Sequence, residues 1–351
     1  MAPNTKRVFY VNNVAAPIFL EILGKRPDIQ VDKLVNDSPD AEAEPILAQA
    51  HAFQIGSSRQ ELAMKFQGYA PLFARCPNLL LLSTSGAGYD TVSLADATAA
   101  GVAVVNQAGG NKEGVAEHVM AMMLTLSKRI PQADKAMRRS ANYKRPDFMG
   151  DDVQGRTIGI VGIGHVGGRV AELCRGLFQM RVLAYDPYLT AEQIAAKGAE
   201  KVATLEELLR AADYVSINCP HTAETRGMMA AAQFALMQPH AYFINTARGG
   251  IHDEAALEAA LKAKQVAGAG LDVWEEEPPP ADHPLLQLDN VVASPHNAGI
   301  TVQSRHNIAR IAAEQMVDML DGKKPPRLLN PEVWPVYRER FARILGVTPE
   351  G

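Results

Sequence analysis

The 351-residue sequence predicts an α/β chain made of two domains with parallel sheets. Three observations lead there. At roughly 150 residues per domain, the length suits two domains rather than one. Short β-branched runs alternate with Ala- and Leu-rich amphipathic stretches almost from end to end, the pattern of parallel strands joined by crossover helices. One of the strand-to-helix junctions is a glycine-rich turn.

The first series of strand-like runs is Val8–Val11, Phe53–Ile55, Leu79–Leu82 and Val102–Val105, with helix-like stretches such as Glu42–Ala50 and Leu94–Ala99 between them. A long Ala/Met/Leu-rich stretch predicts one helix over Glu113–Arg139, and a Pro/Asp-rich loop follows at Arg145–Asp152. A second, more regular series runs through Thr157–Val161, Val182–Tyr185, Tyr214–Asn218, Tyr242–Asn245, Val266–Leu271 and Val291–Ala293. Val166–Phe178, Leu205–Ala211 and Glu254–Ala263 are its helices. Glu277–Pro284 is a loop, because consecutive prolines continue neither a helix nor a central strand. After Pro295 another helix pattern extends to about Asp321. Near the C-terminus Val333, Trp334, Tyr337, Phe341 and Ile344 share one helical face, expected to pack on its own domain, with cover of the active site or a subunit contact as the alternatives.

Composition removes several function classes. Lys plus Arg is 35 and Asp plus Glu is 39, for a net charge of −4. That balance excludes a strongly basic surface for nucleic acid or anionic membrane. No uncharged apolar run approaches the ~20 residues that span a bilayer. Met1–Tyr10 has two charges and no apolar region, so no secretion signal is expected. Cys76, Cys174 and Cys219 are sparse, odd in number and far apart, which predicts reduced thiols in the cytoplasm. His and Cys never cluster at helical spacing, so no metal site is expected.

The run Thr157–Val161 leads directly into Gly162-Ile163-Gly164-His165-Val166-Gly167, a G-x-G-x-x-G between strand and helix. Glycines there allow a tight turn, close approach of a pyrophosphate, and close packing of helix on strand. The helix N-terminus offers N–H groups and a positive dipole end to the phosphates. Asp186 ends the next strand, about 20 residues on, where a carboxylate accepts the ribose hydroxyls of NAD and repels a 2′-phosphate. Pro187, Tyr188 and Leu189 supply no cation for NADP, so the expected cofactor is NAD. His165 reads as an exposed residue of the turn that can also contact the pyrophosphate.

Ligands of open α/β sheets bind beyond the C-terminal ends of the strands. Three later strands end there in Thr246-Ala247-Arg248, in Asp272 to Glu277, and in Ser294-Pro295-His296-Asn297-Ala298-Gly299. Taken alone, Arg248 is an ordinary surface cation, Glu275–Glu277 a solvated acidic loop, and His296 one of nine histidines. Together, an Arg, a Glu and a His on three strand-end loops at one sheet edge form a candidate catalytic set. Arg forks a carboxylate, and a His beside a carboxylate can hold a proton near neutral pH. His118, inside the apolar helix pattern Val115–Leu126, reads as structural.

With the glycine signature upstream, this trio resembles the D-isomer-specific 2-hydroxyacid dehydrogenase family, from the Ser85-Gly86-Ala87-Gly88-Tyr89-Asp90 loop to about residue 320. The resemblance implies two Rossmann-like or flavodoxin-like domains, the cofactor domain inserted into the substrate domain. It would assign 1–108 and 299–351 to the substrate domain and 109–298 to the NAD-binding domain, with the reaction in the cleft between them. It implies that Arg248 holds the substrate carboxylate and polarises the carbonyl. His296 would be the general acid/base and Glu277, the acid just before a proline, its partner. Ser85, Gly86, Ala87 and Gly88 would supply backbone N–H groups to the carboxylate. Asp272, with backbone at Ala247, would meet the nicotinamide carboxamide. Thr246, Cys219 and Pro220 would line the cofactor, with Val166, His296, Ala298 and Gly299 beside it. A homodimer is also implied.

Family members that use phosphorylated substrates carry basic residues near the glycine loop. Here Leu82–Ser85 and Ile55–Ser58 have none, with Arg59 a few positions later, so an unphosphorylated 2-oxo acid is expected. Formate-using members lack the Glu, so Glu277 argues against formate. Two alternatives stay open: an NAD(H)-sensing corepressor, and a phosphite dehydrogenase.

Overall fold

The computed structural model describes residues 5–349 and divides into two units. Met1–Asn4 and the last two residues lie outside the described residues.

The first unit comprises residues 1–111 and 302–351. Its elements are β1 (Lys6–Val11), α1 (Ile18–Gly24), β2 (Ile29–Leu34), α2 (Asp40–Leu47), β3 (Ala52–Gln54), α3 (Ala70–Arg75), β4 (Leu81–Ser83), α4 (Leu94–Ala99) and β5 (Ala103–Val105). The strands form one sheet in the order β2-β1-β3-β4-β5, every pair parallel. Successive strand residues feed opposite cores, as a period of two requires. Val8, Ala52, Leu81 and Ala103 join one cluster; Phe9, Phe53, Leu82 and Val104 join the other. Both faces are therefore covered, as parallel sheets demand. β2 escaped the sequence analysis because it is an edge strand, mostly half-buried and interrupted by Asp32 and Lys33.

The second unit comprises 112–301. It contains α5 (Lys112–Ser127), α6 (Ile130–Arg139), β6 (Thr157–Val161), α7 (His165–Phe178), β7 (Arg181–Tyr185), α8 (Ala191–Ala195), β8 (Glu200–Lys201), α9 (Leu205–Ala211), β9 (Tyr214–Ile217), α10 (Ala231–Phe234), β10 (Tyr242–Asn245), α11 (Glu254–Lys262), β11 (Gly268–Leu271) and β12 (Val291–Ala293). Its seven strands run β12-β11-β10-β9-β6-β7-β8, all parallel. The order reverses at β6, flanked by β7 and β9. Such a switch point is where open sheets bind dinucleotides.

The helix expected over Glu113–Arg139 is two helices. Arg129 takes a left-handed φ of 51°, and Pro131 opens α6 without an N–H to give back. The carbonyl of Ser127 accepts instead from Asp151 N at 2.9 Å. The chain returns to the first unit through α12 (Val302–Leu320) and α13 (Trp334–Leu345). α12 starts later than expected from Pro295, because residues 296–301 form a loop at the sheet edge. Trp334, Tyr337, Phe341 and Leu345 bury against the first unit, with Tyr337 donating to Met319 O at 2.8 Å. The divisions fall after 111 and 301 rather than after 108 and 298. Gly110 packs against Gln107 and Ile308, while Ala298 is tied to Asp272.

Candidate active site

The glycine turn is built as its sequence requires. Gly162 has φ +85°, and a Cβ there would lie 2.8 Å from Cys219 N. At Gly167 a Cβ would meet Gly162 O at 2.2 Å, so helix and strand could not pack. At Gly164 a Cβ would meet nothing within 4 Å. That open side, facing away from protein, fits a pyrophosphate against the N–H groups that begin α7. His165 is the exposed first residue of that helix, with Val166 half-buried behind it.

Asp186 follows β7 beside the turn. Its oxygens accept from Ile163 N and Tyr188 N, each at 3.1 Å. An ionised carboxylate has about four lone-pair sites, leaving room for ribose hydroxyls. On the same edge, Asn218 Oδ1 and Thr246 Oγ1 are buried and have no protein partner among the described residues. Orphaned buried acceptors are rare in native proteins. With the open Gly164 face, they fit a dinucleotide at the switch point. Cys219 and Pro220 follow β9 there, and burial pushes the Cys219 thiol up to about 11, away from thiolate chemistry.

The Arg, Glu and His converge on that edge of the second unit. His296 Nδ1 and Glu277 Oε2 are 2.7 Å apart. Burial drives the Glu277 carboxyl upward, but the hydrogen bond and charge of His296, the Trp274 N–H and the charge of Arg248 together hold it below its ordinary value. Among the three consecutive acids, Glu277 is the one bonded to His296. Glu275 N donates instead to Glu254 Oε1 at 2.8 Å, while Glu254 Oε2 meets His283 at 3.0 Å and anchors this loop to α11. With Nδ1 committed to Glu277, Nε2 of His296 has no hydrogen bond among the described residues.

Arg248 follows β10, half-buried, with Nη1 donating to Ala247 O at 2.7 Å. Its loop hangs on a residue the sequence analysis missed. Asn245 is fully buried, accepts from Ala247 N at 2.9 Å and donates to Arg248 O at 2.9 Å. The readable signal was a polar amide ending an apolar strand, which must find partners once buried.

Asp272 faces its own loop. Its carboxylate accepts from Ser294 Oγ at 2.5 Å, Asn297 N at 2.9 Å and Ala298 N at 2.9 Å. These bonds moor the segment that carries His296. Gly299, half-buried, follows it.

In the first unit, the Ser85–Gly88 loop follows β4. Gly86 has φ +93°, its N–H donates to Gln107 Oε1 at 2.8 Å, and Asn106 Nδ2 holds Ala87 O at 2.8 Å. The Gly86 N–H is thus committed within the protein. Those of Ala87 and Gly88 have no acceptor among the described residues.

A doubly wound sheet with a glycine turn, an aspartate just after the next strand and a histidine–carboxylate pair at one edge defines a dinucleotide-binding fold. The chain belongs to the D-isomer specific 2-hydroxyacid dehydrogenase family, whose NAD binding domain model matches residues 120–298. NAD is the cofactor of this domain. A D-3-phosphoglycerate dehydrogenase of Archaeoglobus fulgidus is 40% identical over 279 residues, 76% of this chain, but the chain spans only about half (52%) of that relative. A glyoxylate reductase of Korarchaeum cryptofilum is 38% identical over 267 residues, 75% of this chain and 80% of the relative. The crystal structure of an Aquifex aeolicus D-lactate dehydrogenase with NAD and lactic acid superposes with a TM-score of 0.78 at 26% identity, covering 92% of this chain and 99% of that one.

Proposed function

We propose that the protein interconverts a small unphosphorylated 2-oxo acid and its (R)-2-hydroxy acid. The observation that carries this is the 2.7 Å His296–Glu277 pair beside Arg248, with His296 Nε2 left for a substrate. When bound, NADH supplies the hydride. His296 Nε2 gives its proton to the carbonyl oxygen as charge develops there, and Glu277 fixes the tautomer and stabilises the ring when charged. Arg248 forks the substrate and polarises its carbonyl. The N–H groups of Ala87 and Gly88 belong to the proposal as carboxylate donors.

An unphosphorylated acid is supported by the lack of cations at Leu82–Ser85 and Ile55–Ser58. Arg59, the nearest one, is engaged by its Nε with Asp90 O. No helix of the described residues is long and apolar enough to cross a membrane. All three cysteines are unbridged, which supports a reducing, cytoplasmic setting, and a homodimer is proposed from the family alone.

The test is NADH oxidation, followed by absorbance, against glyoxylate, hydroxypyruvate, pyruvate, phenylpyruvate and 2-oxoisocaproate, each repeated with NADPH. Turnover of one or more with NADH is expected. Silence across the panel, with NADH binding shown by fluorescence, overturns the reading in favour of an NAD(H)-sensing regulator. Turnover of phosphite with NAD instead overturns the substrate class.

A further inference from the structure

His296 has φ +53°, a left-handed conformation that is costly for a non-glycine residue. Such a backbone persists only where its surroundings over-determine it. Here Asp272 does so, gripping Ser294 before His296 and Asn297 and Ala298 after it. Trp274 Nε1 adds a bond to Ser294 O at 3.1 Å.

Asp272 itself is a side chain only 1% exposed. A buried carboxylate needs compensation. Among the described residues, the one side chain able to carry a positive charge within ion-pair distance is His118 of α5, at 3.8 Å. His118 Nε2 also lies 2.9 Å from Ser294 Oγ. The Ser294 hydroxyl has one proton, and the carboxylate at 2.5 Å takes it. Its oxygen therefore accepts from His118, which requires a proton on His118 Nε2. The result is a directed chain from His118 N–H through Ser294 O–H to Asp272.

We propose that His118 is a positioning residue for His296, acting through Ser294 and Asp272; its effect on rate rests on the functional reading above. Without the His118 donor the Ser294 rotor is no longer aimed at Asp272, and the grip on the His296 loop loosens. Misplacement on the order of 1 Å far from the chemistry can cost about 100-fold in rate.

The test compares His118→Ala, Ser294→Ala and the double variant at a temperature where each is folded. Each single variant is expected to lose about 10- to 100-fold in kcat, with the Kd for NADH within about two-fold of native. The double variant should be no worse than the singles, because the three groups act as one chain. His118→Gln, whose amide reaches the Nε2 position, should restore most of the rate. Additive losses, kcat near native in Ser294→Ala, or failure of His118→Gln to recover overturns the proposal. If His118→Ala does not fold, Ser294→Ala and His118→Gln carry the decision.

A second readout needs no turnover. Long-range proton–nitrogen NMR of the apo protein should show a proton on His118 Nε2, with the His296 ring signals displaced in Ser294→Ala. Those signals unchanged, or His118 protonated at Nδ1 alone, overturns the proposal. A native protein inert toward every 2-oxo acid, with the NMR result as expected, fails the functional reading and leaves the positioning chain standing.

Discussion

The two units solve the same problem with opposite electrostatics. Both are parallel sheets covered on both faces, and both hold a loop at a strand end. In the first, the Ser85–Gly88 loop is pinned by the neutral amides of Gln107 and Asn106. In the second, the Ser294–Ala298 loop is pinned by the carboxylate of Asp272. A neutral anchor leaves the Ala87 and Gly88 N–H groups attractive to an anion. A negative anchor under the histidine loop holds more donors at once and favours positive charge nearby. The anchor's charge thus matches what its loop is proposed to do: receive a carboxylate in one unit, carry a proton in the other.

The sharpest way to break this comparison is to remove the proton carrier. His296→Gln is expected to lower kcat by about 1,000-fold while NADH still binds, as judged by fluorescence titration. Near-native turnover in that variant would falsify the acid/base role. Next comes the cofactor. Asp186→Ser should cost about ten-fold or more in kcat/KM with NADH, the worth of a hydrogen bond to a charged group, and should narrow the gap to NADPH. An unchanged NADH/NADPH ratio would mean that Asp186 does not meet the ribose.

The neutral anchor is tested by Gln107→Ala. Gln107 is fully buried and bonds both Gly86 N and Ser83 Oγ, so its loss strands two groups and destabilises the chain by about 1–3 kcal/mol. The KM for the 2-oxo acid should rise about ten-fold, with the Kd for NADH unmoved. Equal changes in both would show that the loop's effect is not confined to the acid.

The smallest effect is on stability against pH. Burial lowers His252, which accepts from Asn245 behind the Arg248 loop, from 6.5 to about 4. The unfolded chain therefore takes up a proton first as pH falls. Its contribution to stability is complete above about pH 6.5 and is lost as pH falls toward about 4, for about 3 kcal/mol in all. His51 of the first unit is lowered too, by burial and then by Arg7, and acts in the same direction. Urea midpoints measured from neutral to mildly acidic pH should fall, and fall less in His252→Asn. Equal slopes in the two proteins would remove His252 as the cause.

The fold was legible because alternation with a period of two and the glycine turn are local properties. Every strand of the second sheet but two-residue β8 was placed, since buried parallel strands are continuous apolar runs. β2 was not, because an edge strand need not be apolar on both sides. The break between α5 and α6 was missed because good helix formers surround Pro131, and only the docking of Asp151 N on Ser127 O makes the interruption favourable.

At the site, residue type and position singled out Gly162, Gly167, Asp186, Arg248, Glu277 and His296, which lie in the glycine turn and the helix start after it or in segments that follow strands of the second sheet. Chemistry that depends on a residue's own type and on its place after a strand is written in the sequence. What only the tertiary structure decided is who holds these groups. That His118 meets Ser294 across 176 positions, that Asp272 grips the His296 loop, and that Asn245 and Gln107 aim backbone groups are all long-range pairings. A hydrogen bond is satisfied by any partner of the right polarity at about 3 Å, and which partner arrives there is set by the packing of the sheet rather than by any spacing along the chain.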